Sequence, residues 1–196
     1  MSPAQKPMPM VEYNQPVDMR FDQPAVLVYH TGEVISSRYV VQPAYSSNLA
    51  ANVLAAVISN EIQKKYSDRY IYQYGQEQQK VFMTSLRDVL LKNHVFKTVE
   101  FVDDEKKIRP HQVMIIVDFT RTRVGSQERG LPILLKGNII IKCEDQVFQK
   151  PFFIHNANED ARRSWSFQAR TVDVSQQLME KVCKTIKLWG QQRFVS

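Results

Sequence analysis

The alternation of apolar and polar positions is clearest over residues 113–154, where VMIIVDFTRTRVG is followed by LPILLKGNIIIKCEDQVFQKPFFI. In the first run Val113, Ile115, Val117 and Phe119 share one face of an extended chain, and Asp118, Thr120 and Thr122 take the other. Arg121 and Arg123 keep the parity of Phe119, so that face is expected to run out to solvent or to an acidic partner near Arg121; ordinary fraying of the strand end is the plain alternative. The second run repeats the pattern with Ile133, Leu135, Ile139, Ile141 and Cys143, and the polar Glu144, Asp145 and Gln146 offer a turn before Val147 to Ile154 returns. Three consecutive strands with one buried face, hence an antiparallel sheet, are predicted.

Helical spacing flanks these strands. Ser46 or Ser47 can cap a helix in which Leu49, Val53, Leu54, Val57, Ile58 and Ile62 recur every three or four residues, closing at Lys64 and Lys65. A second helix from about Gln76 carries the stripe Phe82, Leu86, Val89 and Leu90 and ends at Asn93-His94. KTVEFV then suits a short strand ahead of the charged loop Asp103 to Lys107. A last helix is expected to open near Asp173, whose carboxylate can accept first-turn amides, and to bury Val174, Leu178, Met179, Val182, Ile186 and Trp189. Near the start, AVLVYH from Ala25 has strand length, and Glu33 to Val41 either pairs with it or makes a second extended stretch. The first 24 residues hold Pro3, Pro7, Pro9, Pro16 and Pro24 with little periodicity, and predict a flexible tail; the alternative is a recognition segment presenting Met8, Met10, Val11 and Tyr13 to a neighbouring protein. The expected fold class is α+β: a mainly antiparallel sheet with two to three amphipathic helices packed on one face, forming a single domain over 25–196 behind the 1–24 tail.

Composition narrows the partner classes. The chain has 196 residues and a formal net charge of +6, but its 26 basic and 20 acidic residues are scattered without a block of like charge. That distribution favours a solvated mixed-charge surface over a nucleic-acid tract. No run of about 18 apolar residues is present to span a membrane as a helix. Met1 leads straight into polar SPAQKP, so the expectation is either a cytoplasmic protein or a mature chain whose export signal has been removed.

Candidate chemistry is sparse. His30, His94, His111 and His155 stand singly, without HExxH, CxxC or a carboxylate cluster at ligand spacing. Gly125, Gly130 and Gly137 fit turns or a strand irregularity better than a phosphate cradle, and Ser126 and Ser164 lack a GxSxG surround. No catalytic residue, cofactor or metal is therefore expected. Cys143, on an apolar strand face, and Cys183, on the last helix, either form one disulfide in an oxidising compartment or serve as two small buried apolar side chains, the reading that the low cysteine density favours. Arg162, Arg163, Trp165, Phe167 and Arg170 mix arginine with aromatics, a composition enriched in protein interfaces but shared by a loop pinned to its own core through Trp165. With Arg121 and Arg123, these positions form the candidate contact set.

The amphipathic SLRDVLLKNHVF, the strand pair VMIIVDFTRTRV and LLKGNIIIKCEDQVFQKPF, and the closing DVSQQLMEKVCKTIKLW together cover roughly residues 76–190. In this order they resemble small periplasmic lipoproteins of Gram-negative bacteria, of the YajG type and the ABC-transport auxiliary lipoproteins. The chain departs from that pattern in having no lipobox cysteine at its start and in the added helical stretch 48–65. The resemblance implies a non-enzymatic cell-envelope protein of the periplasm or outer membrane. It would be an accessory subunit of a transport, secretion or motility assembly, meeting other envelope proteins in a multi-subunit complex, with the Pro-rich tail as spacer behind a lipid anchor. Two other classes remain open. One is a cytoplasmic nucleic-acid binder, with Arg121, Arg123, Arg129, Lys136 and Lys142 lining a sheet on which Tyr or Phe stack bases. The other is an apolar-ligand or lipid carrier with a pocket between helices and sheet.

Overall fold

The alternating run at 113–124 becomes the central strand of a five-stranded sheet in the computed structural model, which describes residues 10–36, 74–102, 109–124, 133–156 and 167–193. In chain order the elements are β1 (Ala25–Ser36), α1 (74–92), β2 (Val99–Phe101), β3 (Val113–Val124), β4 (Leu134–Cys143), β5 (Gln146–His155) and α2 (Phe167–Arg193). The strands lie in the order β2-β1-β3-β4-β5. β3, β4 and β5 form the expected antiparallel meander, while β1 is inserted parallel to both β2 and β3. The fold is thus α+β with a mixed, mostly antiparallel sheet. The predicted helix of residues 48–65 lies outside the described residues.

One face of the sheet carries both helices. Val113, Ile115, Val117 and Phe119 of β3 meet Ile139, Ile141 and Cys143 of β4 in a single buried cluster. α1 contributes Phe82, Met83, Leu86, Val89 and Leu90 to it, and α2 contributes Val174, Leu178, Met179, Val182, Cys183, Ile186 and Trp189. Each such side chain is worth about 1.5–3 kcal/mol when fully buried, which outweighs the modest helix propensity of the β-branched members. The two helices run in the same direction. The Tyr74 hydroxyl and Thr171 Oγ1 are 3.0 Å apart across their first turns. At their far ends Phe21 stacks on Phe96 and tilts against Trp189, each pair of ring centroids 5.1 Å apart.

Three expectations need correction. Residues 10–24 are not a free tail: the Val11 amide donates to Ser85 Oγ on α1 at 2.9 Å, and Gln176 Nε2 on α2 donates to the Glu12 carbonyl at 3.4 Å. Val11 is buried, and Tyr13, Val17, Met19 and Phe21 pack on the same cluster, so this stretch is a strap laid on both helices. Its prolines suit an extended conformation, and the helices supply the hydrogen bonds that a tail would take from water. Second, α2 begins at Phe167, six residues ahead of Asp173. The Asp173 carboxylate does not cap; it accepts from Asn156 Nδ2 at 2.7 Å and Gln177 Nε2 at 3.0 Å. Third, Glu33 does not open a second strand, because β1 runs unbroken to Ser36 and pairs with β3 throughout.

The most consequential difference lies within β3. Pairing with β4 shifts between Phe119 and Arg121, leaving Thr120 as an extra residue. Beyond it the parity inverts: Thr122 and Val124 are buried, and Gln79 Nε2 of α1 donates to Thr122 Oγ1 at 3.1 Å. Thr122 therefore faces the helices, and Arg121 and Arg123 face away from them, not along the face of Phe119. A bulge of this kind crowds the neighbouring strands, and each carries a glycine at that level. A Cβ on Gly32 of β1 would stand 1.9 Å from the Phe119 carbonyl oxygen, and one on Gly137 of β4 would stand 1.9 Å from that of Asp118. The sequence tolerates the bulge because both flanking strands lack a side chain there.

Candidate functional site

The parity switch assembles a surface on the face of the sheet that the helices leave open. Register pairs Glu33, Arg121, Lys136 and Phe153 across β1, β3, β4 and β5, and the next row holds Ile35, Arg123, Leu134 and His155. Directly opposed side chains on one sheet face have Cβ atoms about 4.5–5.5 Å apart, so each row forms a contiguous strip. Lys136 lies between buried Leu135 and the tight Gly137, and Phe153 between buried Phe152 and Ile154, which fixes both on the outer face.

The charges on this surface are unequal. Arg121 Nε donates to Glu33 Oε2 at 2.9 Å, with both side chains about half exposed. Among the described residues, Lys136 and Arg123 make no ion pair. Phe153 is 61% exposed and meets the His155 ring edge-on, at 5.5 Å between centroids. One row further along, Asp118 accepts from Asn138 Nδ2 at 3.5 Å and lies 3.7 Å from His30 Nδ1. Beyond that the outer face is closed to solvent: Val26, Val28, Met114 and Ile116 form a second buried cluster, against which Val102 and Ile140 pack. Val102, the residue after β2, packs on this face. The open surface is the end of the sheet around Arg121, Lys136 and Phe153.

The other positions singled out in the sequence lie elsewhere. Arg162, Arg163 and Trp165 are outside the described residues, as is Arg129, and Phe167 is the first residue of α2. Lys142 does share the outer face, opposite Met114 and Val147. Cys143 and Cys183 are both free and buried, and burial pushes the Cys183 thiol up to about 12. Lys136 was a sequence candidate only in the nucleic-acid reading, and Phe153 was not among the sequence candidates. A signal for Phe153 is present in the PFFI run, since two adjacent aromatics in an alternating strand cannot both face the core.

Two further features lie away from this surface. Near the starts of the two helices Gln78, Gln79, Arg170, Thr171 and Ser175 are buried polar residues, as is Thr122 of β3. Burial lowers the Arg170 guanidinium from its ordinary value, Tyr74 acting in the opposite sense. Gln78 is 2% exposed and, among the described residues, neither atom of its amide has a hydrogen-bond partner. An open depression of about 580 Å³ lies between the strap and the end of α1, lined by Pro16–Arg20 and Lys92–His94. Its polar rim does not suit an apolar ligand. Among the described residues, no group of three His, Cys, Asp or Glu side chains could hold a metal ion, and no helix is long and apolar enough to cross a membrane.

The described elements define an α+β protein with a mixed sheet and two parallel helices on one face. No family model and no curated protein matches the chain. Among solved structures it is similar to protein XCC0632 from Xanthomonas campestris, of the family DUF330, with 11% identity and a TM-score of 0.44 over 96% of this chain and 98% of that one. A second, uncharacterized protein is similar at 10% identity and a TM-score of 0.35, covering 86% of this chain and 99% of the other.

Proposed function

We propose that this protein is an accessory subunit of a bacterial cell-envelope assembly in the periplasm or at the outer membrane, working by contact with other proteins and not by catalysis. The observation that supports this most is the free edge strand β5. It leaves Val147 63% and Phe153 61% exposed on a sheet whose other face is sealed by helices. Exposed large apolar side chains gathered on one rigid element are a feature of protein-binding surfaces. The element order of the YajG-type and ABC-transport auxiliary lipoproteins supports the envelope setting and a role in transport, secretion or motility machinery. In that setting the strap at residues 10–24 fixes the upstream chain to the helix layer, leaving the outer sheet face for the partner.

The test is to isolate the native protein from fractionated cells of its own organism and determine the mass and sequence of its true N-terminus. A processed, lipid-modified start in the outer-membrane fraction is the expected result. An unprocessed start in the soluble fraction contradicts the envelope reading.

A second reading has one observation in its favour. Arg121, Arg123, Lys136 and Lys142 share the face that carries Phe153, as a cytoplasmic nucleic-acid binder would require. Binding of single-stranded oligonucleotides, followed as salt is raised, tests it: such a protein loses affinity steeply with salt, and absence of binding at low ionic strength removes the reading.

A further inference from the structure

We propose that the open end of the outer sheet face docks an acidic polypeptide segment, with Arg121, Lys136 and Arg123 meeting its carboxylates and Phe153 receiving one of its apolar or aromatic side chains. This rests on the contact reading above and specifies the partner's chemistry.

Three cations stand in two adjacent rows with a single carboxylate, Glu33, among them. The Glu33–Arg121 pair is half exposed on both sides, so it is weak and solvent-screened, and an incoming carboxylate can exchange with it. Lys136, directly beside Phe153 in the ladder, has no ion-pair partner among the described residues. An apolar ring beside the uncompensated Lys136, with Arg121 and Arg123 further along the same face, matches a segment that alternates acidic and apolar residues. The apolar contact removes the ring from water, and the carboxylates set register and speed of encounter.

The backbone decides how the segment sits. Cys143 pairs with Gln146 across the two-residue turn at Glu144-Asp145, so the ladder bonds of β5 fall on the parity of Gln146. Val147, Gln149, Pro151, Phe153 and His155 therefore turn their backbone groups to the free edge. Pro151 has no amide to offer there, which interrupts the edge at its middle and opposes continuous strand addition. Recognition consequently runs through side chains on the face.

The same surface suits nucleic acid less well. Glu33 lies in the cationic row and Asp118 borders it, where an extended phosphate backbone would meet them, and Phe153 is the exposed aromatic platform of these rows. A short acidic segment centred on Lys136, Arg123 and Phe153 stays clear of Asp118 and meets Glu33 only where it exchanges at Arg121.

The test uses the full-length protein in its own cells, with the photo-crosslinker p-benzoylphenylalanine placed singly at position 153, or at positions 188 and 91 on the helix layer, where Leu188 and Leu91 are also exposed. Position 153 is expected to capture a protein through a peptide of net negative charge. Lys136→Glu or Arg123→Glu should lower that yield at least five-fold, while Lys136→Arg preserves it, all with unchanged melting temperatures. Capture at 153 that ignores Lys136→Glu overturns the proposal, as does capture of nucleic acid or lipid there. Capture at 188 or 91 but not at 153 leaves the contact reading standing and removes this surface. Absence of protein capture at all three positions counts against both.

Discussion

The two faces of this sheet are built from the same strands yet are held to different standards. On the helix side, apolar positions from β1, β3, β4 and β5 merge with both helices and the strap into one cluster. On the outer side, one half is closed over Val26, Val28, Met114 and Ile116, and the other presents Arg121, Lys136 and a largely exposed Phe153. Stability is concentrated on the first face, and the proposed recognition is left to the second. The boundary between them inside β3 is a single extra residue, Thr120, which decides which side chains belong to which face.

The contrast is easiest to break with a pair of aromatic truncations. Phe82, 1% exposed and edge-on to Phe119 at 6.3 Å, should cost about 3–5 kcal/mol as Phe82→Ala, whereas Phe153→Ala should stay within about 0.5 kcal/mol. Equilibrium urea unfolding measures both, and comparable losses would mean that Phe153 is a structural residue. The bulge is tested next. Gly137→Ala puts a Cβ against the backbone carbonyl of Asp118 and the ring of Phe152, and should cost about 3 kcal/mol, since backbone cannot swing aside as a side-chain tip can. A neutral Gly137→Ala in the same assay would show that β4 has room there.

Smaller effects sharpen the parity switch. Thr122→Val removes a buried acceptor from Gln79 and should cost about 1–2 kcal/mol, while Arg121→Ala, which loses a half-exposed ion pair, should cost less than about 0.5 kcal/mol. The reverse order would place Arg121 on the inner face.

The smallest effect at neutral pH is that of the sealed thiol. Cys183 is held at about 12 by burial, against about 8.5 in an unfolded chain. Below the unfolded value both states keep the proton and stability is independent of this group. Between the two values the unfolded thiol ionises and the native one does not, so raising pH favours unfolding. Burial, with Cys183 and Glu180 nearby, also raises Tyr13, which acts in the same direction above its ordinary value of 10.0. Melting temperature should therefore fall as pH rises from about 8.5 toward 12, and Cys183→Ala should flatten the lower part of that decline. An unchanged slope in Cys183→Ala would assign it to other groups.

What the sequence disclosed was set by how local each signal is. In Val113 to Phe119 and Ile133 to Cys143 the apolar positions recur with a period of two, and the stripes Phe82-Leu86-Val89-Leu90 and Val174 to Trp189 follow helical spacing, so those faces could be assigned in advance. Gly137 was recognisable as a strand irregularity, but its consequence was not. The inversion at Arg121 depends on Gly32, Thr120 and Gly137 meeting across three strands far apart in the chain. The strap was hidden for a similar reason. Proline content describes the isolated segment, while Ser85 and Gln176, which hold Val11 and Glu12, belong to other elements. Asp173 misled because a cap and a cross-element hydrogen bond require the same carboxylate. The open surface was half visible through Arg121, Arg123 and Lys136; Phe153 joined them only through register.

Thiol labelling at adjacent positions tests the division into a sealed and an open face most directly. In the full-length protein, whose native Cys143 and Cys183 are buried, single variants Arg121→Cys, Thr122→Cys, Lys136→Cys and Phe153→Cys would be reacted with a maleimide under native conditions. The parity switch predicts rates near those of an unfolded peptide at 121, 136 and 153, and at least hundred-fold protection at 122. Equal labelling at 121 and 122, or protection at 121 with exposure at 122, would contradict it.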